Sequence, residues 1–154
     1  MLTLSQLRNF LIGMLMTTMP VTSVAADFTT PQGAVRALEE AYRNQDIEAA
    51  IATRDFREEA RLLFLRSNPD KAADPESLRQ GALIMEVLFR EEFNQIAVPS
   101  YAALTCVLSE PVRVSESLVK VTERCQTPDG SWSEQNLYVF LGSQGWRVAG
   151  IVYE

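Results

Sequence analysis

The 154-residue chain contains no histidine. Any acid–base or nucleophilic chemistry therefore falls to carboxylates, tyrosines, arginines and cysteines. A Ser-His-Asp triad, a Cys-His pair and a histidine metal site are excluded. No metal or cofactor is called for, and no residue is put forward as catalytic. Proton transfer would need a carboxylate held away from water with its pKa raised. Four acids come into question. Asp46 and Asp55 each precede an apolar-periodic run and are better explained as helix N-caps. Glu123 and Glu134 lie in strand-like segments and turn inward only if the register differs from the one set by the cysteines. The string "SLVK", Ser117 to Lys120, matches a nucleophile motif that works on a helix; on a strand its two ends point to opposite faces. "GSQG" lacks the glycines and the following helix that phosphate binding needs.

Binding is the other chemistry on offer. Tyr42, Phe56, Tyr138 and Trp146 are the candidate lining of an apolar cavity with a few polar tips, the usual make-up of a ligand site. Phe56 serves equally well as core filling, whereas Tyr42 and Trp146 each carry a polar handle that wants a partner. The formal net charge is −6 with only two lysines, so nucleic acid is not an expected partner. Glu39 with Arg43, and Glu86 with Arg90, stand at i,i+4 in the order that suits a solvated helix face.

Cys106 and Cys125 are the only cysteines, and in an exported chain an even pair reads as a disulfide. Export is suggested by residues 1–26, read as a signal peptide. Arg8 is followed by the apolar "FLIGMLM" and then by "TTMPVTSVAAD", with small residues placed for cleavage after Ala25 or Ala26. The run from Phe10 to Val21 is shorter than the roughly 20 apolar residues that span a bilayer. The expected location is periplasmic or secreted, without stable membrane insertion after cleavage.

Residues 27–154 form one domain that must position these groups. "TTPQGAVRALEEAYRNQD" opens a helix with Thr30 as N-cap, Pro31 at its first position and a stripe of Ala34, Leu38 and Ala41 flanked by Val35 and Tyr42. A short helix follows Asp46. A third starts after Asp55, with Glu58 three residues on. "NPDKAAD" reads as a loop, and Asp74-Pro75 opens the longest helix. Its stripe is Leu78, Ala82, Met85, Phe89 and Phe93. Leu83, Ile84, Val87 and Leu88 widen that stripe, so the helix is expected to pack between the sheet and its neighbours. From Tyr101 the period changes to two, and "YAALTCVLSEPVRV", "SLVKVTERCQ", "SWSEQNLYVFL" and "GWRVAGIVYE" read as four antiparallel strands. If Cys106 faces Cys125, the first hairpin centres on Ser115-Glu116. Pro111 then demands an edge or a bulge.

Helices first, then a meander ending on Gly-Trp-Arg-Val, resembles the NTF2-like superfamily, also called cystatin-like or SnoaL-like. The likeness rests on "PQGAVRALEEAYRNQDIEAAIATRDF" and "QNLYVFLGSQGWRVAGI". It implies an α+β cone, with N-terminal helices packed on a strongly curved antiparallel sheet of four or more strands. A strand often found between the second and third helices of that family is not evident here. The resemblance implies a non-catalytic binding domain acting through a protein partner, in an immunity- or inhibitor-like way, or through a small apolar ligand in the cone. It also allows a homodimer through the sheet. The alternative it implies is a histidine-free isomerase- or hydrolase-like enzyme with an Asp/Tyr/Arg site inside the cone.

Overall fold

The computed structural model describes residues 26–95 and 103–150. The expected signal peptide lies outside the described residues except for Ala26. Helix α1, Pro31–Asn44, begins where Thr30 accepts a hydrogen bond from the Gly33 amide at 3.0 Å, and ends at Gln45 in the left-handed region. Helix α2, Ile47–Ala52, and helix α3, Phe56–Ser67, are capped by Asp46 and Asp55, which accept from Ala49 N at 2.9 Å and Glu58 N at 3.0 Å. Both acids are thus occupied in the capping role that their position suggests.

The stretch "NPDKAAD" is a short helix rather than a loop: α4 spans Pro69–Ala73. Pro69 stands at the first helical position, where its missing N–H costs nothing, and two alanines follow. Helix α5, Pro75–Gln95, is capped by Asp74, whose carboxylate accepts from Ser77 N at 2.8 Å. Leu78, Phe89 and Phe93 are buried, but Leu83, Ile84, Val87 and Leu88 are 52–61% exposed. Among the described residues the broad apolar face is therefore covered on one side only, by α3 along Gly81 and by the main core at Phe89 and Phe93.

Among the described residues five strands form one antiparallel sheet. They are β1 (Thr105–Leu108), β2 (Val112–Arg113), β3 (Leu118–Gln126), β4 (Trp132–Gly142) and β5 (Gly145–Ala149). Their order is β1-β3-β4-β5, with β2 also beside β3. Cys106 pairs with Cys125 as the register argument requires, and Leu108 with Glu123; beyond them Val112 pairs with Lys120. One extra residue on the β1–β2 side makes a bulge around Pro111, which splits the expected first strand in two. There the Ser109 amide donates to Thr122 O at 2.9 Å and the Ser109 hydroxyl accepts from Thr122 N at 2.9 Å, keeping the ladder satisfied.

Strand alternation divides the sheet into two faces. Val121, Val139 and Val148 face α1 and α5 and join Ala34, Val35, Leu38, Phe89 and Phe93 in the main core. The opposite face carries Leu118, Tyr138 and Ala149, which pack with Leu62 of α3. Between α2 and α3 a single parallel bridge joins Arg54 to Val148, with Val148 N donating to Thr53 O at 2.8 Å. The strand expected of that position in a cone is reduced to this one contact. This order, helices followed by an antiparallel meander in one sheet, is the α+β arrangement expected from the sequence.

Candidate functional site

A cavity of about 300 Å³ opens between α1, α5 and the core face of the sheet. Its apolar wall is Val35, Leu38, Phe89, Leu137 and Val148; its polar groups include Glu39, Tyr42, Arg54, Glu92, Glu123 and Gln135. Two of the acids belong to the core. Glu39 is 4% exposed and Glu123 is 2% exposed.

Each reaches this position through the periodicity of its own element. On α1, Glu39 follows Val35 by four residues and precedes Tyr42 by three, so it stands in the buried stripe. On β3, Glu123 shares parity with Val121 and Cys125, both buried. The register is the one expected from the cysteines, yet Glu123 faces inward, because the face that holds the disulfide is the core face. Glu134 stays outside and pairs with Arg124 at 3.3 Å. The Glu39–Arg43 pair is also not the solvated contact that its spacing suggests. It forms at 3.5 Å, with the Glu39 side chain only 5% exposed.

One oxygen of each buried carboxyl has a protein donor: Arg43 donates to Glu39 Oε2, and the Gln135 amide donates to Glu123 Oε2. The other two, Glu39 Oε1 and Glu123 Oε1, have no donor from the described residues. Desolvation, followed by a hydrogen bond to Glu123 and its charge, pushes Glu39 up to about 7, against the pull of Arg43 and Arg36. Below that pH Glu39 keeps its proton, and the two carboxyls bond to each other through it. Two carboxyls in one dry site cannot easily both ionise. Burial also raises the Tyr42 hydroxyl.

Beside the pair, Arg54 is engaged already. It donates to both oxygens of Glu59 at 2.7 Å and lies 4.5 Å from the centre of the Phe89 ring. The disulfide forms the other flank. The Cys106 and Cys125 sulfurs lie within 4.8 Å of a Glu123 carboxylate oxygen. With both sulfurs bonded to each other, this cluster has no thiolate to offer a metal.

The four aromatic candidates do not converge. Tyr42 lines the cavity and stacks on Phe93 at 5.0 Å. Phe56 packs on Phe89 at 5.6 Å and borders a separate groove of about 520 Å³ between α3 and α5, where Glu76 and Arg79 form an exposed pair. Tyr138 sits on the opposite face of the sheet, with Leu62 and Ala149. Trp146 packs at the edge of the main core, its amide donating to Phe28 O at 2.9 Å. Sequence reasoning missed Glu39 because its i,i+4 arginine offered a ready surface explanation. The contrary signal was its place in line with Val35 and Tyr42.

Chemically the site can store or exchange one proton near neutral pH, and once that proton leaves it presents two unmatched acceptors to whatever enters. No described protein family matches the chain, and no curated protein does. Among solved structures, it is similar to a Campylobacter jejuni protein provisionally assigned as an NTF2-like transpeptidase (10% identity, TM-score 0.48, 78% of this chain and 97% of that one). It is similar to an NTF-2 like protein of unknown function from Shewanella oneidensis (13%, 0.46, 75% and 88%). A third is a ketosteroid isomerase-like protein from Erwinia carotovora atroseptica (13%, 0.40, 82% and 93%). Likeness at this level concerns the path of the chain and carries nothing about activity.

Proposed function

We propose that this chain is an exported binding domain that takes a small molecule into its cone, with Glu39 and Glu123 as the polar anchor. The observation that carries this reading is the pair of core carboxyls, each with an unmatched oxygen, bordering a cavity that apolar side chains could have filled. A wholly apolar ligand would leave those oxygens with nothing beyond the single proton that they share, so the ligand carries a polar group. Export is supported by the leader-like residues 1–26 and by the Cys106–Cys125 disulfide, a bond suited to an oxidising compartment. Among the described residues no helix is long and apolar enough to cross a membrane. The same carboxyl pair could act as an acid and a base on a bound substrate; turnover of the captured molecule separates an enzyme from a binder. Native mass spectrometry of the protein purified from its own host tests the reading. A retained mass that is lost on Val35→Trp, which fills the cavity, supports it. A mass that survives the filled cavity places the ligand elsewhere and sinks it.

A second reading, binding of a protein partner or of another copy, is favoured by the exposed Leu83, Ile84, Val87 and Leu88 of α5. Light scattering on wild type and Val87→Glu tests self-association through that face. A dimer unaffected by the charge removes it.

A further inference from the structure

Resting on the cavity reading above, we propose that the ligand is a small organic cation, a primary ammonium group on a short apolar stem, bound between Glu39 and Glu123. The two unmatched atoms are both acceptors, on side chains more than nine-tenths buried and bordering one cavity. The one donor between them is the proton that they share, and it is lost as the pH rises through about 7. The charged donors around the cavity are already committed: Arg54 to Glu59, and Arg43 to Glu39 Oε2 with Glu40 nearby. The Gln135 amide is committed to Glu123 Oε2. An incoming carboxylate or phosphate would therefore meet carboxyl oxygens.

The sign of the local charge agrees. Glu39, Glu92 and Glu123 line the cavity, against Arg54, whose charge Glu59 matches. Val35, Leu38, Leu137 and Val148 supply an apolar wall for the stem. The volume of about 300 Å³ lies at the small end of the range of about 300–1,000 Å³ for ligand pockets. A hard metal ion fits less well, because Ca²⁺ takes about 6–8 oxygens and the pair offers two unmatched ones. An ammonium group carries three donors on one centre, enough for both oxygens with one to spare.

Entry of the cation displaces the proton shared by the pair, which leaves to solvent; no covalent bond changes. Arg36 and Arg43 on α1 act on Glu39 and Gln135 on β4 donates to Glu123, while Tyr42 on α1, Arg54 ahead of α3 and Glu92 on α5 face the same cavity.

The test is an NMR titration of the disulfide-intact protein at pH 6 with n-butylamine, 1-butanol and sodium butyrate, three probes of matched length and different charge. Calorimetry in two buffers of different ionisation enthalpy accompanies it. The expected result is saturable shifts of cavity amides with the amine alone, release of up to one proton per site, and at least a tenfold loss of affinity in Glu123→Gln. If butanol or butyrate binds there as well as the amine, the cation inference falls and the cavity reading stands. If none of the three moves the cavity amides, the cation inference falls, and the same titration with the mass retained from the host decides the cavity reading separately. The comparison of probes uses wild type, so a variant that fails to fold does not protect the proposal.

Discussion

Replacing Glu39 by glutamine should make the protein more stable above neutral pH, and the size of the effect follows from its burial. In the unfolded chain this carboxyl titrates at its ordinary 4.5; in the fold it is pushed up to about 7, chiefly by desolvation and then by Glu123. Between these values the unfolded chain has lost a proton that the folded chain retains. Raising the pH through that window therefore favours unfolding. At 1.36 kcal/mol per pH unit, the loss is about 3 kcal/mol by pH 8, and it belongs to the Glu39–Glu123 pair as a unit. Glutamine keeps the shape, offers Glu123 a permanent donor and does not titrate. Urea unfolding at pH 4.5, 6, 7 and 8 should show wild type and Glu39→Gln nearly equal at the acid end, then diverging until the variant leads by about 3 kcal/mol. The window is clean on its acid side. Asp27, Glu48, Asp74, Glu76 and Asp129 are all held below their ordinary values by hydrogen bonds to neighbouring hydroxyl, amide or arginine groups. Their contributions fade only as the pH falls towards and below 4. Parallel pH profiles for the two proteins would refute the shared-proton arrangement.

Three other perturbations separate the parts of the structure. Reducing the Cys106–Cys125 bond, which spans 19 residues, should lower unfolding free energy by about 3 kcal/mol in the chain-entropy model, read by urea titration with and without a phosphine reductant. Arg54→Ala should cost about 3–5 kcal/mol, because it leaves Glu59 charged and buried without its partner. The double change to Arg54→Met with Glu59→Leu should recover most of that loss in the same assay. Gly150→Ala places a methyl group against the Arg54 guanidinium, which Glu59 holds still. Its melting curve should report a loss of about 1–3 kcal/mol, and an unchanged curve would show that Arg54 can move aside.

The fold was legible wherever the signal is local. Thr30, Asp46, Asp55 and Asp74 each start a helix because a short acceptor side chain can satisfy an orphan amide only at that position. The cysteines located the first hairpin because a disulfide between facing strands leaves little choice of register. The outer apolar face of α5 was misjudged for the opposite reason. Periodicity tells which residues are apolar, but what covers them depends on where α3 and the sheet meet the helix, a property of the whole assembly of elements. Glu39 and Glu123 belong to the same class. Both sit at core positions of their own elements, and a charged residue at such a position is normally the sign that the assigned face is wrong. Here the apolar stripe and the register were right, but both glutamates, expected to face outward, hold the charge inside.

A buried carboxyl pair is a poor way to stabilise a core. Apolar side chains of similar volume at 39 and 123 would remove the desolvation penalty and the unmatched oxygens together. The proton shared by the pair below about pH 7, and the surrounding donors, only partly relieve that penalty. Arg43 reaches Glu39 at 3.5 Å, Gln135 reaches one oxygen of Glu123, and the strongest donor nearby, Arg54, is turned to Glu59. The nearest full neutralisation thus goes to a carboxylate outside the pair, and the pair stays acceptor-rich beside open volume. Stability alone would favour closing that volume, so the geometry makes most sense as a site that is completed when something with donors enters. The pH profile and the amine titration therefore probe one and the same pair of carboxyls. If Glu39→Gln is more stable at high pH and also binds the amine less well, the strain and the binding share one origin. If it gains stability without any loss of binding, the pair is a flaw of packing, and the cavity has no use for it.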